Sequence, residues 1–334
     1  MQCKLAEVKL KVWPGQTFTT TSVSGGMLPT AVYMPPLHNG SATTLNVLFF
    51  LHGWYVPSQE ALINSDNCRP CEQVINSGKD VILVAPWLGY KWRDKKGDVQ
   101  GALHTGNFAN KAYGQLFLKA ILDALPAAAG APASLDIKNL VVACHSGGGV
   151  AMRNVAATLG AFNVKLRECV GLDCLYQTGD ANFWFDRAKE SDASPAYFFF
   201  GPSTIPESIK LYLMAKGRAD ALGNERNPAG PAQANLVVRP GHISSFMYGG
   251  VTTNVSNYID NVVDDLITPT SAAPGKTKTT NDGEFVKKAV ENFKARYIFP
   301  ANEKDERGED MRGGIHYFIA RAFLLERLRN VSLV

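Results

Sequence analysis

The stretch with the clearest capacity for chemistry runs from Leu140 to Met152, with the sequence LVVACHSGGGVAM. An apolar run typical of a buried strand leads to Ser146, and three glycines lead from there into a segment with helical spacing. A serine at such a turn projects its hydroxyl above the sheet edge, and the following helix directs backbone N–H groups toward developing negative charge. The pattern therefore predicts Ser146 as a nucleophile. A phosphate-binding loop is excluded, because no Gly-Lys-Ser/Thr follows.

This turn resembles the nucleophile elbow of the α/β-hydrolase superfamily, whose usual pattern is Gly-x-Ser-x-Gly. The first small residue is Cys144 here, which departs from that pattern. A second segment is similar to the oxyanion loop of the superfamily, because the apolar run Asn46–Leu51 leads directly into His52-Gly53-Trp54. The resemblance implies that the backbone N–H groups of Trp54 and Gly147 hold the oxyanion. His52 is expected to support the loop without exchanging protons.

The resemblance also implies that an acid and then a histidine follow the serine along the chain. Asp173, at the end of an apolar run, is the favoured acid, because a carboxylate there is costly unless it has a partner. Glu207 and Asp220 are the alternatives. His242, which follows a predicted strand and a short glycine-containing loop, is the favoured base, with His316 in the last helical segment as the alternative. His145 is expected to pack beneath the elbow.

Aromatic residues are frequent near the predicted site. The resemblance implies that the loop after the apolar run Asp80–Pro86 lies over the pocket. Five residues are therefore candidates for contact with substrate: Tyr55, Trp87, Tyr90, Trp92 and His104. Together with the run Phe183-Trp184-Phe185, they suggest an aromatic cleft for an apolar or sugar-bearing substrate.

The elements that position these residues are predicted from short apolar runs. Examples are Asp80–Pro86, Cys169–Leu175 and Ala196–Phe200, which fit strands buried on both faces of a parallel sheet. Segments with helical spacing separate them, among them Gly148–Leu159 and Pro206–Ala221, so βαβ units are expected. The resemblance implies a mostly parallel eight-stranded sheet with helices on both faces.

Composition shifts define the expected organisation of the chain. Residues 1–267 are predicted to form the α/β-hydrolase core, and residues 268–283, rich in Thr, Pro and Ala, a flexible connector. Residues 284–334 are predicted to be a C-terminal helical extension packed on the core, with one domain overall.

The overall composition excludes several classes of function. The 334 residues carry a net charge of +4, which is too slight to indicate nucleic acid or an anionic membrane as a partner. No run of about 18 apolar residues is present, so no membrane span is expected. The first residues lack the layout of a signal peptide, which favours a cytoplasmic location; a secreted one stays open if a leader was removed.

Six cysteines are present, and Cys68-Arg69-Pro70-Cys71 has the spacing of a redox or zinc motif. No second Cys or His pair completes a metal set, so a loop disulfide or two unreactive thiols are favoured. Neither a metal nor an organic cofactor is predicted.

These observations predict a serine hydrolase that cleaves a carboxylic ester or amide through an acyl-enzyme. The substrate would be a small molecule or derive from a polymer. Two alternatives remain open: a serine peptidase or amidase acting on peptide or cell-wall material, and a non-catalytic binding protein with the same fold.

Overall fold

The structure, a computed structural model, describes residues 6–8, 28–33, 43–58, 61–62, 68–111, 113–115, 117–118, 121–122, 136–158, 164–190, 193–200, 204–217, 234–240 and 311–333. The chain divides into two compact units. The first contains residues 1–174 and 323–334, and the second contains residues 175–322. The predicted connector, His242 and Asp220 lie outside the described residues, and the predicted domain boundaries stay predictions.

In the described part of the first unit, six strands form a mixed but mainly parallel sheet. Its strands are β1 (Ala6–Val8), β2 (Thr30–Tyr33), β3 (Thr44–Leu51), β4 (Ile82–Pro86), β7 (Asp136–His145) and β8 (Lys165–Leu172). They lie in the order β1-β2-β4-β3-β7-β8. β2 pairs antiparallel with both β1 and β4, whereas β4, β3, β7 and β8 are mutually parallel.

The core of this unit lies along β3, β4 and β7. Val47 to Leu51 and Leu140 to His145 are buried at every position, without the alternation of a one-sided strand. Continuous burial of this kind requires apolar residues on both faces, which is why these strands read as unbroken Val/Leu/Phe runs in the sequence. The prediction of an α/β fold with a mostly parallel sheet is confirmed. The number of eight strands stays a prediction.

Two α-helices and a hairpin are among the other described elements of the first unit. Helix α1 (Pro70–Ser77) begins with proline and ends at Gly78, whose φ of 66° is the left-handed conformation that commonly ends a helix. Helix α2 spans Gly149–Thr158. A small antiparallel hairpin pairs β5 (Lys91–Arg93) with β6 (Val99–Gly101), and Asp94 accepts two backbone N–H bonds within its turn. The sequence reading missed both α1 and this hairpin.

Among its described residues, the second unit has two parallel strands, β9 (Ala196–Phe200) and β10 (Leu236–Pro240). Its helices are α3 (Asp180–Arg187) and α4 (Ile205–Ala215), and it includes the first part of α5 (Met311–Asn330). Trp184 is buried against Phe183 and Phe198, with ring centroids 5.2 and 5.0 Å away. The expectation that Trp184 lines a substrate cleft is therefore wrong, because its indole belongs to the core of this unit.

None of the helices in the described part of the chain combines the length and apolar character that crossing a bilayer requires.

Candidate active site

Ser146 occupies the turn between β7 and α2. Its φ is 54°, in the left-handed region that non-glycine residues seldom adopt, and a 3-10 turn spans Ser146–Gly148 before the helix begins at Gly149. Residues held in this region cost about 1–3 kcal/mol, and such strain clusters at functional sites. The flanking His145 and Gly148 are buried, whereas Ser146 itself is partly exposed. The hydroxyl therefore sits on a sharp bend at the carboxyl end of a central strand.

The glycines after Ser146 are required by close packing. A Cβ on Gly148 would collide with the carbonyl oxygen of Leu51 and lie 2.8 Å from that of His52. A Cβ on Gly149 would collide with the carbonyl of Cys174. These positions let the helix start directly against the neighbouring strand ends, so the elbow can form only with minimal side chains.

The loop after β3 lies directly beside this elbow. Leu51 pairs with Cys144 in the parallel register, so the next residues of both strands run side by side. A Cβ on Gly53 would lie 2.9 Å from both the Ser146 Oγ and the Gly147 backbone nitrogen. The Trp54 backbone N–H has no acceptor among the described residues. The structure thus brings the predicted oxyanion loop into contact with the predicted nucleophile.

His52 is fully buried, and both of its ring nitrogens are engaged. Nε2 accepts a hydrogen bond from the Leu88 backbone N–H at 2.7 Å, so the proton must be on Nδ1, which donates to the Gly53 carbonyl at 2.7 Å. Burial lowers the pKa of His52 to about 4, partly offset by the bond to Gly53. A neutral imidazole therefore links the oxyanion loop to the segment after β4, which is a positioning role.

Asp173 is the first residue after β8 and lies next to the elbow. His145 pairs with Leu172 in the parallel register, so Ser146 and Asp173 follow matched positions on adjacent strands. Asp173 is 1% exposed, and its φ of 46° also lies in the left-handed region. The predicted strand Cys169–Leu175 instead ends at Leu172, and this earlier end places the carboxylate on the turn at the sheet edge.

Glu207, the alternative acid, binds backbone N–H groups in the second unit. Its Oε2 accepts backbone N–H bonds from Gly179 and Ala181 at 3.2 and 3.0 Å, at the start of α3. A carboxylate in this position satisfies N–H groups that lack partners within the helix and interacts favourably with the helix dipole. Glu207 therefore supports a helix N-terminus in the second unit.

The candidate bases are divided between described and undescribed residues. His316 lies in α5, in the second unit, and is partly exposed. His242 and the remaining acid candidate, Asp220, lie outside the described residues. The choice between His242 and His316 stays a matter for experiment.

His145 lies beneath the elbow in a buried pair with a thiol. Its Nδ1 is 3.1 Å from the Cys68 Sγ, and both residues are almost fully buried. Burial, with a smaller effect of Cys144, raises the pKa of Cys68, which keeps the thiol neutral and unreactive. Cys68 is a free cysteine whereas Cys71 is disulfide-bonded. The CxxC pair is therefore not a disulfide between its own two cysteines.

The aromatic candidates and His104 lie in the segments after β3 and β4. Trp87 donates its indole N–H to the Val56 carbonyl at 2.9 Å, and Tyr90 stacks on Trp92 with centroids 4.3 Å apart. His104 follows Leu103, and its ring would lie 3.2 Å from a Cβ on Gly89. Tyr55 is 43% exposed at a φ of 63°. Their contact with substrate stays a prediction.

Two cations that the sequence did not predict as site residues lie beside Trp54. The Lys91 Nζ is 4.5 Å from the centroid of the Trp54 ring, and the Arg93 Cζ is 5.8 Å from it. Both residues lie on β5, one position apart from Trp92 on either side, so they share one face of that strand. This i, i+2 spacing of two cations was the available signal, but it gains meaning only when the partner ring is known.

Comparison with known proteins gives a structural likeness and no sequence match. No protein-family model and no curated protein matches the chain. Among solved structures, Thermogutta terrifontis esterase 2 has a TM-score of 0.37 at 14% identity, covering 81% of this chain and 96% of its own. Esterase B from Lactobacillus rhamnosis has a TM-score of 0.37 at 12% identity, covering 71% and 81%. A thermostable esterase has 0.39 at 9%, covering 73% and 59%.

Likenesses as low as these carry no argument about activity, and the fold is identified from the molecule itself. Its parallel strands lie in the order β4-β3-β7-β8, an antiparallel β2 flanks them, and a left-handed serine joins the central β7 to a helix. That arrangement is similar to the way in which an α/β-hydrolase sheet presents its serine. The described strands form an α/β fold with a mainly parallel sheet, and their order and the turn at Ser146 resemble those of the α/β-hydrolase superfamily.

Proposed function

We propose that the protein is a serine hydrolase that cleaves carboxylic esters through an acyl-enzyme. The observation that carries the proposal is the strained Ser146 with the backbone of Gly53 and Gly147 against its hydroxyl. Strain at a serine is unnecessary for packing alone, since a glycine would adopt the same φ without cost. Maintaining it is understandable if the hydroxyl must be presented to a substrate.

In the proposed reaction the Ser146 Oγ attacks the ester carbonyl carbon while its proton passes to the histidine, for which we favour His242. The backbone N–H groups of Trp54 and Gly147 stabilise the oxyanion, and Asp173 orients the imidazole and balances its positive charge. The imidazolium then gives its proton to the departing alcohol. Water, deprotonated by the same histidine, attacks the acyl-enzyme and releases the acid and the free serine.

The test combines covalent labelling with turnover. A fluorophosphonate probe should label the native chain, and mass spectrometry should locate the adduct on the peptide that contains Ser146. Hydrolysis of p-nitrophenyl butyrate should fall by about 10⁶-fold in Ser146→Ala. Failure of the folded native chain to react with either reagent would contradict the proposal and favour a binding protein. Faster turnover of peptide amides than of esters would favour a peptidase.

The base is tested by two matched variants. His242→Ala should lose about 10⁴-fold or more in kcat, as removal of a triad histidine does, whereas His316→Ala should retain turnover. The reverse result would assign the base to α5. Probe labelling of both variants, together with their thermal unfolding, would separate loss of chemistry from loss of fold.

A further inference from the structure

Two cations on β5 lie over the ring of Trp54, which belongs to the proposed oxyanion loop. We call Trp54, Lys91 and Arg93 the Trp54 cation cluster. Lys91 and Arg93 lie 4.5 and 5.8 Å from the centroid of the Trp54 ring, within the range of a cation–π interaction. Trp54 and Lys91 are half-buried, and Arg93 is exposed. The cluster is thus ordered on its aromatic side and open to solvent on the other.

The cluster adjoins the proposed reacting atoms. A Cβ on Gly147 would lie 2.8 and 3.0 Å from Cδ1 and Nε1 of the Trp54 indole, so the pyrrole edge of that ring borders the elbow. The Tyr55 backbone N–H donates to the Lys91 carbonyl at 2.9 Å, which fixes strand β5 to the oxyanion loop. The two cations are therefore held at the rim of the site and do not lie on a distant surface.

Neither Lys91 nor Arg93 forms an ion pair with a residue in the part of the chain that the structure describes. The nearby Asp94 instead accepts the backbone N–H groups of Lys96 and Asp98 and the side-chain amide of Gln100. Arg93 uses one N–H on the Gly97 carbonyl at 2.7 Å and retains others.

Two like charges placed on one ring repel each other, and that repulsion is relieved when an anion binds between or above them. Partial burial strengthens the attraction relative to water, and hydrogen bonds between charged partners are stronger than neutral ones. The arrangement thus has the features of a carboxylate site next to an oxyanion hole.

We propose that Lys91 and Arg93 bind a carboxylate on the substrate, so that the enzyme prefers esters carrying a free carboxylate over neutral esters of the same shape. This inference rests on the proposed hydrolase function and specifies its substrate class. The carboxylate belongs either to the acyl chain or to the alcohol of the ester, and matched substrates distinguish the two.

The experiment compares kcat/KM within two substrate pairs. For the acyl side, mono-p-nitrophenyl glutarate is compared with its methyl-capped analogue. For the alcohol side, 4-carboxyphenyl butyrate is compared with 4-carbamoylphenyl butyrate. We expect a preference for the carboxylate of about tenfold or more in one pair, mainly through KM, and a reduction of that preference in 0.5 M salt.

Variants assign the preference to the cluster. Lys91→Met retains the side-chain stem on Trp54 but removes the charge, and Arg93→Gln removes the second charge. We expect the double variant to lose the preference, so that its kcat/KM for the carboxylate ester falls to that for the neutral ester of the same pair. Lys96→Met, on the same hairpin but without a ring contact, is the matched control for loss of one charge and should keep the preference.

The outcomes separate this inference from the function on which it rests. Equal turnover of carboxylate and neutral esters by the native chain, or a preference that survives the double variant, would overturn the inference and leave the hydrolase proposal intact. Absence of Ser146-dependent turnover on all four esters would overturn both. Thermal unfolding of each variant at the native midpoint excludes misfolding as the cause.

Discussion

Gly53 packs closely against Ser146, in the segment that we propose as the oxyanion loop. Its side-chain position is bounded by the Cβ of Ser146 at 2.5 Å and by the Ser146 Oγ and the Gly147 nitrogen at 2.9 Å. No side chain fits there without displacing the backbone of the loop or of the elbow. At the scale of single residues, the candidate site therefore requires glycine at position 53 as well as the serine at position 146.

We predict that Gly53→Ala loses about 10²-fold or more in kcat, because the added methyl separates the oxyanion loop from Ser146 by several tenths of an ångström. Turnover of p-nitrophenyl butyrate and the rate of probe labelling measure the loss. Gly106→Ala is the matched control, since a Cβ at that position meets nothing within 4 Å. Native-like turnover by Gly53→Ala would contradict the assigned oxyanion loop.

His52 gives a second prediction at this scale, which concerns stability. Its pKa of about 4 in the folded chain lies below the ordinary value of 6.5, so the unfolded chain binds a proton that the folded chain refuses. The stability from the neutral imidazole is complete above pH 6.5 and is lost as the pH falls toward 4, by about 3 kcal/mol.

The measurement is the free energy of unfolding in urea at pH 7, 5.5 and 4, for the native chain and for His52→Gln. Other groups titrate equally in both proteins, so the difference between the two isolates His52. We expect that difference to shrink by about 3 kcal/mol from pH 7 to pH 4. A difference independent of pH would show that His52 titrates as it does in the unfolded chain.

At the scale of elements, the parallel register of the strands brings the candidate site residues close together. β7 and β8 end at paired residues and β3 ends one pair earlier, so His52-Gly53, Ser146 and Asp173 follow at one end of the sheet. Each of these turns contains a residue with positive φ, at Tyr55, Ser146 and Asp173. The candidate site is thus a set of strand ends, and the choice of acid can be tested by comparing two carboxylates on different elements.

We predict that Asp173→Asn lowers turnover, whereas Glu207→Ala lowers stability. Asp173→Asn should lose about 10⁴-fold in kcat, because an amide favours the wrong histidine tautomer. Glu207→Ala should keep its kcat but lose about 1 kcal/mol of stability, since two N–H groups at the start of α3 lose their acceptor. Turnover and urea unfolding of both variants are compared. Full activity in Asp173→Asn would return the acid assignment to Glu207 or Asp220.

The sequence was sufficient for the elements whose signal is local. An apolar run, two polar residues and three glycines are consecutive, and they predict the strand-to-helix turn at Ser146 that the structure has. A continuous apolar run likewise predicts β9 with the observed bounds. The hairpin β5–β6 was missed because three-residue strands show no periodicity. Lys91 and Arg93 of this hairpin contact the ring of Trp54, which lies 37 and 39 positions earlier in the chain. No local sequence pattern encodes these contacts.

At the scale of the first unit, the end of the chain is attached to the central sheet. Residues 323–334 belong to this unit, and Arg327 pairs with Glu168 on β8, at 2.8 Å between Nη2 and Oε2 and 3.3 Å between Nε and Oε1. Beyond it, the Leu333 carbonyl accepts a bond from the Asn139 side chain on β7. These contacts join positions about 160 to 190 residues apart, which a reading of local sequence patterns does not reveal.

We predict that Arg327→Ala destabilises the protein by about 3–5 kcal/mol, because it leaves the Glu168 carboxylate buried without its partner. The side chain of Glu168 is 4% exposed, and burial already raises its pKa against the opposing effect of Arg327. Urea unfolding at pH 7 measures the loss. Arg329→Ala is the control, since its exposed side chain bonds only the Asn76 carbonyl and should change stability by under about 0.5 kcal/mol.

The pH dependence identifies the cause of that loss. Without Arg327 the folded pKa of Glu168 rises further above the unfolded value of about 4.3, so the folded variant takes up a proton that the unfolded chain does not. Its deficit in stability should therefore be largest at pH 7 and shrink as the pH falls toward 4.5. Replacing both partners, as Arg327→Met with Glu168→Leu, should cost less than Arg327→Ala alone, because no charge remains buried. A deficit that is unchanged by pH and by the second substitution would mean that Arg327 contributes through packing of its stem rather than through the ion pair.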